Sequence, residues 1–291
     1  MKISFPAETC DDIKAPSLIV ENTKRCLIIS DLHFGIESEL NSKGIYIQSH
    51  ASERRARIFE LISRTNPDHL IILGDVKHRI PGTSKQEYRE LPYLLEDIRK
   101  LVPMTICFGN HDPGLEQFLS PEEIAPATGI SIDETSYMHG HTRPAREFAG
   151  TLIICGHHHP TIGLHDGIGI GFRTPCFVLA KLDDDIWHGK ENNDENDTID
   201  EKHEKEATGT KQKKNKKQET DDISKNITKK RETRVLLMPA FNECVGYDLR
   251  KTVFRPFSAI SRAIEKNSAE VMLIDGTYAG DMASLIGYLE E

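Results

Sequence analysis

The sequence predicts an α/β protein with a mainly parallel sheet and a second, more antiparallel sheet packed on it. Two observations carry that expectation. First, short apolar runs recur and stop at Gly, Asp, Asn or His: Leu27-Ile28-Ile29-Ser30 before Asp31, and Leu70-Ile71-Ile72-Leu73 before Gly74-Asp75. Met104 to Phe108 stops before Gly109-Asn110, and Leu152 to Cys155 before Gly156-His157. Such runs, bounded by turn residues, read as strands buried on both faces. Second, longer amphipathic stretches separate the first three, and strand–helix alternation implies right-handed crossovers between parallel strands.

Residues 1–24 suggest one or two opening strands, with Leu18-Ile19-Val20 the clearest. From His50 to Arg64, Ala56, Ile58, Phe59, Leu61 and Ile62 recur at helical spacing among charges, so one face of a helix lies on the sheet. Asn66-Pro67-Asp68 breaks it. A second helix is expected over Lys85–Leu101, ended by Pro103. From about Ile130 the rhythm changes to successive short strands at Ser136–Met138, Leu152–Cys155, Cys176–Leu179 and Val235–Met238, with close turns at Gly167–Gly171.

Between Asp183 and Arg234 apolar residues nearly vanish, and Lys211–Lys217 forms a basic block behind an acidic start. Such a stretch cannot bury enough apolar surface to offset its ordering entropy. The chain is therefore divided into core residues 1–182, a charged insertion expected to be disordered at 183–234, and core residues 235–291. The insertion reads either as an arm for nucleic acid or a DNA-processing protein, or as a solvated surface loop.

A formal charge of −9 in 291 residues argues against broad nonspecific nucleic-acid binding. Cys10, Cys26, Cys107, Cys155, Cys176 and Cys244 form no CxxC pair, and four of them lie in or beside apolar runs, as buried thiols do. No charged-then-apolar signal pattern and no run of about 18 apolar residues occurs, so a cytoplasmic protein without a membrane span is expected.

The strand ends deliver metal donors. Asp31 and His33 alternate around Leu32, as His157 and His159 do around His158, so each pair faces one side of an extended chain. Asp75 has two oxygens and can bridge two cations; Asn110 offers a neutral carbonyl; His139 ends another short strand. About seven oxygen and nitrogen donors suffice for two metals about 3.5–4 Å apart. His141 is an alternative to His139, and alternation turns His158 away from the site.

The series Asp31-x-His33, Gly74-Asp75, Gly109-Asn110-His111-Asp112, His139-Gly140 and Gly156-His157-x-His159 resembles the calcineurin-like metallophosphoesterases. The fuller pattern Ser30–Glu37, Gly74–His78 and Met238–Asn242 looks like an archaeal branch of predicted phosphoesterases, related to bacterial DNA-ligase-associated phosphodiesterases. The resemblance implies two facing mixed β-sheets flanked by helices, with a dinuclear site at the sheet ends. It implies a first metal on Asp31, His33, Asp75 and His159, and a second on Asp75, Asn110, His139 and His157. It further implies His111 beside the scissile phosphate and Asp112 orienting His111. The chain departs from many members by carrying His78 where they have an aspartate three residues beyond the bridging one.

The expected function is hydrolysis by metal-bound hydroxide, and the resemblance alone implies a phosphodiester in a nucleotide or nucleic acid as the substrate. A phosphomonoesterase and a catalytically weak metal-binding adaptor for DNA-processing partners are the alternatives. Mn²⁺ leads as the metal, with Fe, Zn²⁺ or Ni²⁺ compatible with the same donors. Lys77, Arg79, Arg143 and Arg146 lie near motif ends and are candidates to hold a phosphate oxygen.

Overall fold

The computed structural model describes residues 1–9, 15–165, 171–187, 231–249 and 256–287. One sheet follows chain order: β1 (Lys2–Ser4), β2 (Leu18–Glu21), β3 (Arg25–Ile29), β4 (His69–Ile72), β5 (Met104–Cys107) and β6 (Ile124–Ala125). The first three strands pair antiparallel, and β3 to β6 pair parallel. The other sheet holds β7 (Ile130–Ile132), β8 (Thr135–Met138), β9 (Leu152–Cys155), β10 (Pro160–His165), β11 (Gly171–Lys181), β12 (Arg234–Leu237) and β13 (Tyr247–Asp248). Their spatial order is β13-β10-β11-β12-β9-β8-β7, and β14 (Glu270–Leu273) and β15 (Tyr278–Asp281) extend it beside β11. Within it β8, β9 and β12 run parallel, so three strand ends point the same way.

Alternation sorts the side chains into three apolar layers. Ile28, Ile71, Leu73 and Cys107 face Tyr137, Ile154, Phe177 and Leu236 between the sheets. Leu27, Ile29, Leu70 and Ile72 point outward beneath α3 (Ala51–Thr65) and α4 (Lys85–Leu101), which follow α1 (Pro6–Thr9) and α2 (Ile36–Ser42). On the far side Val235, Leu237 and Ile153 lie under α5 (Asp184–Trp187), α6 (Ala259–Ala263) and α7 (Met282–Gly287). The result is two facing mixed sheets with helices outside.

The helix α4 has the expected bounds for local reasons. Ser84 accepts from the backbone of Glu87 while Glu87 reaches back to Ser84, a reciprocal cap, and Val102-Pro103 ends it in extended backbone. Its buried stripe of Leu91, Leu94, Leu95 and Ile98 recurs at helical spacing. Cys26, Cys107, Cys155 and Cys176 are free and buried, whereas Cys244 is exposed.

Two details differ from the sequence expectation. The helix α2 has no clear signal: it is seven residues long and follows Gly35 in the left-handed region. The charged stretch also contributes core at its edges, because Trp187 is fully buried in the outer layer and Thr233 is buried beside β12. Residues 188–230, the bulk of the expected insertion, and the Gly167–Ile170 turns lie outside the described residues.

Candidate metal centre

Six strands direct their carboxyl ends to one rim where the sheets meet: β3, β4 and β5 from one, β8, β9 and β12 from the other. Backbone bonds lock the loops together there. Asp31 N donates to Gly74 O (3.1 Å) and His33 N to Asp75 O (2.8 Å). From β12, Phe241 N donates to Ser30 O (2.8 Å), and Asn242 Nδ2 donates to Leu32 O (2.9 Å) and His33 O (3.2 Å). Asn242 is thus a clamp on the Asp31 loop, carried by the Met238–Asn242 motif.

Asp31, His33, Asp75, His157 and His159 all have positive φ, between 41° and 66°. Side chains rarely adopt this conformation, which costs on the order of 1 kcal/mol or more at each and is held by surrounding structure. Glycines make the approach. A Cβ on Gly109 would sit 2.1 Å from Asp75 Oδ1, and one on Gly156 2.5 Å from Asp31 Oδ2.

Two sets of donors sharing Asp75 result, beside a third group of His33, His78 and His111. Ligand atoms of Asp31, His33, Asp75 and His159 all lie within 4.8 Å of one another, as do those of Asp75, His139 and His157. Asp75 belongs to both. Its Oδ2 is 3.6 Å from His33 Nε2 and 3.4 Å from His139 Nε2. Asn110 Oδ1 is 3.2 Å from His139 Nε2, on the second set. Nδ1 of His139 faces Leu73 O at 2.8 Å, so it carries the ring proton and leaves Nε2 free to bind a cation. His141 stands outside both sets, 5.2 Å ring to ring from His139. His158 turns away: Nδ1 faces Gly156 O and Nε2 faces Ser258 Oγ, both at 2.8 Å.

The donors fit divalent cations. Nε2 of His33 and both ring nitrogens of His159 are buried and make no hydrogen bond. His159 Nε2 lies 3.0 Å from Asp31 Oδ1, yet the pair is not aligned as a hydrogen bond. Buried polar atoms without partners are costly, and a cation among them removes that cost. The charges agree. Burial opposes ionisation of Asp31, but His159, His139 and His33 bring its carboxyl well below the usual range. Burial, then the charges of Asp31 and Asp112, push Asp75 up to about 9. Burial and His159 depress His33, and burial and His139 depress His157, so these rings are neutral and able to ligate.

His33 continues outward through His78. Nδ1 of His33 and Nδ1 of His78 are 3.2 Å apart, and His78 Nε2 is 3.1 Å from Glu39 Oε2. If His33 ligates through Nε2, its Nδ1–H donates to His78 Nδ1, whose Nε2–H then donates to Glu39. Every proton in that chain has an acceptor. Sequence reading missed Glu39, and the position of His78 in the motif was its only signal.

Two expectations meet contrary contacts. Asp112 does not orient His111. Its Oδ2 accepts from Asp75 N and Gly109 N and its Oδ1 from Val76 N, each at 2.8 Å, so it ties the two loops together. The His111 ring instead sets Nδ1 against His78 O and stacks on the His78 ring at 5.2 Å. Lys77 is buried and turned back, its Nζ donating to the Arg79 and Gly82 carbonyls. Arg79, Arg143 and Arg146 are exposed.

The family model for calcineurin-like phosphoesterase matches residues 24–216, and the chain belongs to that family. It is a metal-dependent phosphoester hydrolase, in a family that works with two metals. Among solved structures, the Pseudomonas putida nuclease MPE is similar at 17% identity and a TM-score of 0.49, covering 89% of each chain. Yfce, a phosphoesterase from E. coli, is similar at 19% identity and a TM-score of 0.31, over 49% of this chain and 74% of that one. No curated protein matches. Among the described residues, no helix is long and apolar enough to cross a membrane.

Proposed function

We propose that the chain hydrolyses phosphodiesters of the nucleotide or nucleic-acid class, with Asp31, His33, Asp75 and His159 around one cation and Asp75, Asn110, His139 and His157 around the other. The observation that carries the site is the convergence of buried, unpartnered imidazole nitrogens on two carboxylates. When bound, two divalent cations would supply positive charge to the phosphoryl oxygens and acidify a water for attack. Mn²⁺ is the metal we favour for this oxygen and nitrogen set, with Fe, Zn²⁺ or Ni²⁺ as competitors.

The chain's own residues do the rest. His111 faces a carbonyl with Nδ1, which must then carry hydrogen, and in its protonated form it offers Nε2–H to the leaving oxygen. Asp112 holds the loops bearing Asp75 and His111 in register, a positioning role. The motif Met238–Asn242, with its clamp at Asn242, supports the archaeal phosphoesterase branch. Buried free thiols suit a reducing cytoplasm. The Lys211–Lys217 block supports a nucleic-acid or DNA-processing partner.

The test is metal-stripped protein refilled with Mn²⁺, Fe²⁺, Zn²⁺ and Ni²⁺ in turn, then assayed on p-nitrophenyl phosphate, bis(p-nitrophenyl) phosphate and an oligonucleotide. Faster hydrolysis of the diesters is expected. A faster monoester would make it a phosphomonoesterase, and no turnover at full metal occupancy would make it a metal-binding adaptor.

A further inference from the structure

The geometry points to Tyr247 and Phe257 as a stacking wall for the base of a nucleotide whose phosphate sits at the metal centre. Both rings abut the candidate ligands. Tyr247 lies nearly parallel to His159, at 5.5 Å and 15°, and Phe257 meets the edge of His157 at 5.3 Å. The two aromatic rings adjoin, 6.1 Å apart and tilted by 53°.

Both rings are also open to solvent, at 48% for Tyr247 and 44% for Phe257. Yet their backbones are fixed. Tyr247 opens β13, paired parallel to β10 directly after the His157–His159 loop, and its N donates to His159 O at 2.8 Å. Phe257 N donates to Ser261 Oγ at 3.1 Å, and the neighbouring Ser258 is bonded to the buried His158. That bond gives His158 a purpose: it ties the Phe257 segment to the loop that carries His157 and His159. A ring that only braced a histidine could do so buried. Two fixed, half-exposed rings against the candidate ligands His157 and His159 match a base attached to a phosphate held at those ligands. Every base offers a π-face, so such a wall binds without reading sequence.

This inference rests on the phosphodiesterase reading, and two substrates separate the failures. Thymidine 5′-(p-nitrophenyl phosphate) and methyl p-nitrophenyl phosphate share a leaving group, but only the first carries a base. Tyr247→Ala and Phe257→Ala should raise KM for the thymidine ester about 5- to 150-fold, the range for loss of one stacked base. The methyl ester should change less than twofold, and metal content should hold. Tyr247→Phe and Phe257→Tyr should behave as wild type. As a readout apart from turnover, a dinucleotide containing 2-aminopurine should lose fluorescence on binding the His111→Ala protein. Adding either alanine substitution should abolish that quenching. A parallel loss on both esters, or loss of metal from the variants, would overturn the wall and leave the rings as braces for His157 and His159. Equal KM values for variants and wild type on the thymidine ester would also overturn it. Failure of the wild type on both esters would instead sink the phosphodiesterase reading.

Discussion

Replacing His78 by leucine should weaken metal binding without unfolding the protein. The reasoning follows protons. In the metal-free protein His33 is neutral, its protonation disfavoured by burial and by His159. The ring can then place its single proton on either nitrogen. A metal on Nε2 removes that freedom and forces the proton onto Nδ1, which needs the His78 acceptor 3.2 Å away. The His33 side chain is only 3% exposed, so water cannot readily substitute. A buried N–H without a partner costs about 1–3 kcal/mol, which falls on the bound state alone and lowers affinity about 5- to 150-fold. Similar losses, about 10–100-fold, follow removal of partners behind metal-binding histidines in general. His78→Asn keeps an acceptor near the Nδ1 position and should recover most of the affinity. Glu39→Gln should matter less, because that carboxylate is 37% exposed and shares its charge with solvent. Competition against a chelating indicator measures all three. Leucine and asparagine variants of equal affinity would refute the proton chain.

Other outcomes follow from the same geometry. Asp75→Ala should lose more than one metal equivalent by elemental analysis, since Asp75 belongs to both donor sets. His111→Ala should keep both metals while turnover falls roughly 10²–10⁴-fold, the size of a general-acid contribution, and wild-type turnover would remove His111 from the chemistry. His158 is held down to about 4, first by burial, so the folded state keeps the ring neutral while the unfolded chain protonates near its ordinary value of 6.5. Its contribution is therefore lost as pH falls from 6.5 to 4, by about 3 kcal/mol, and levels off below. Urea melts of the metal-free protein should show a steeper acid slope than melts of His158→Gln, and equal slopes would contradict this.

Much of the fold was legible because its elements carry local signals. The parallel strands are short apolar runs stopped by turn residues, and α4 announces both ends through Ser84 and Pro103. The candidate donors were legible because each ends a strand. What sequence spacing could not convey is where a side chain turns after its strand ends. Lys77 and Asp112 follow the expected motifs, yet one satisfies loop carbonyls and the other takes backbone N–H groups from two loops. Trp187 shows the converse, a core residue hidden at the edge of a charged stretch. Glu39 and His78 meet through the turn of α2, an element too short to leave a pattern. Tyr247 and Phe257 gave no signal, because Tyr247 reaches His159 through pairing between β13 and β10, and Phe257 reaches His157 through the Ser258–His158 bond.

The left-handed backbone at Asp31, His33, Asp75, His157 and His159 also sets a direction for drift. Glycine would relax each of these positions by on the order of 1 kcal/mol, and at Asp75 would also remove a carboxylate whose ionisation burial and Asp31 oppose. Without metal, such substitutions at His33, Asp75, His157 and His159 therefore tend to make the fold more robust, whereas Asp31 is kept by the His157 N–H it accepts. A library screened for thermal tolerance in chelator would enrich dead variants with glycine at these sites. The same library screened with metal present would retain the donors, because the cation restores the stability their geometry gives up.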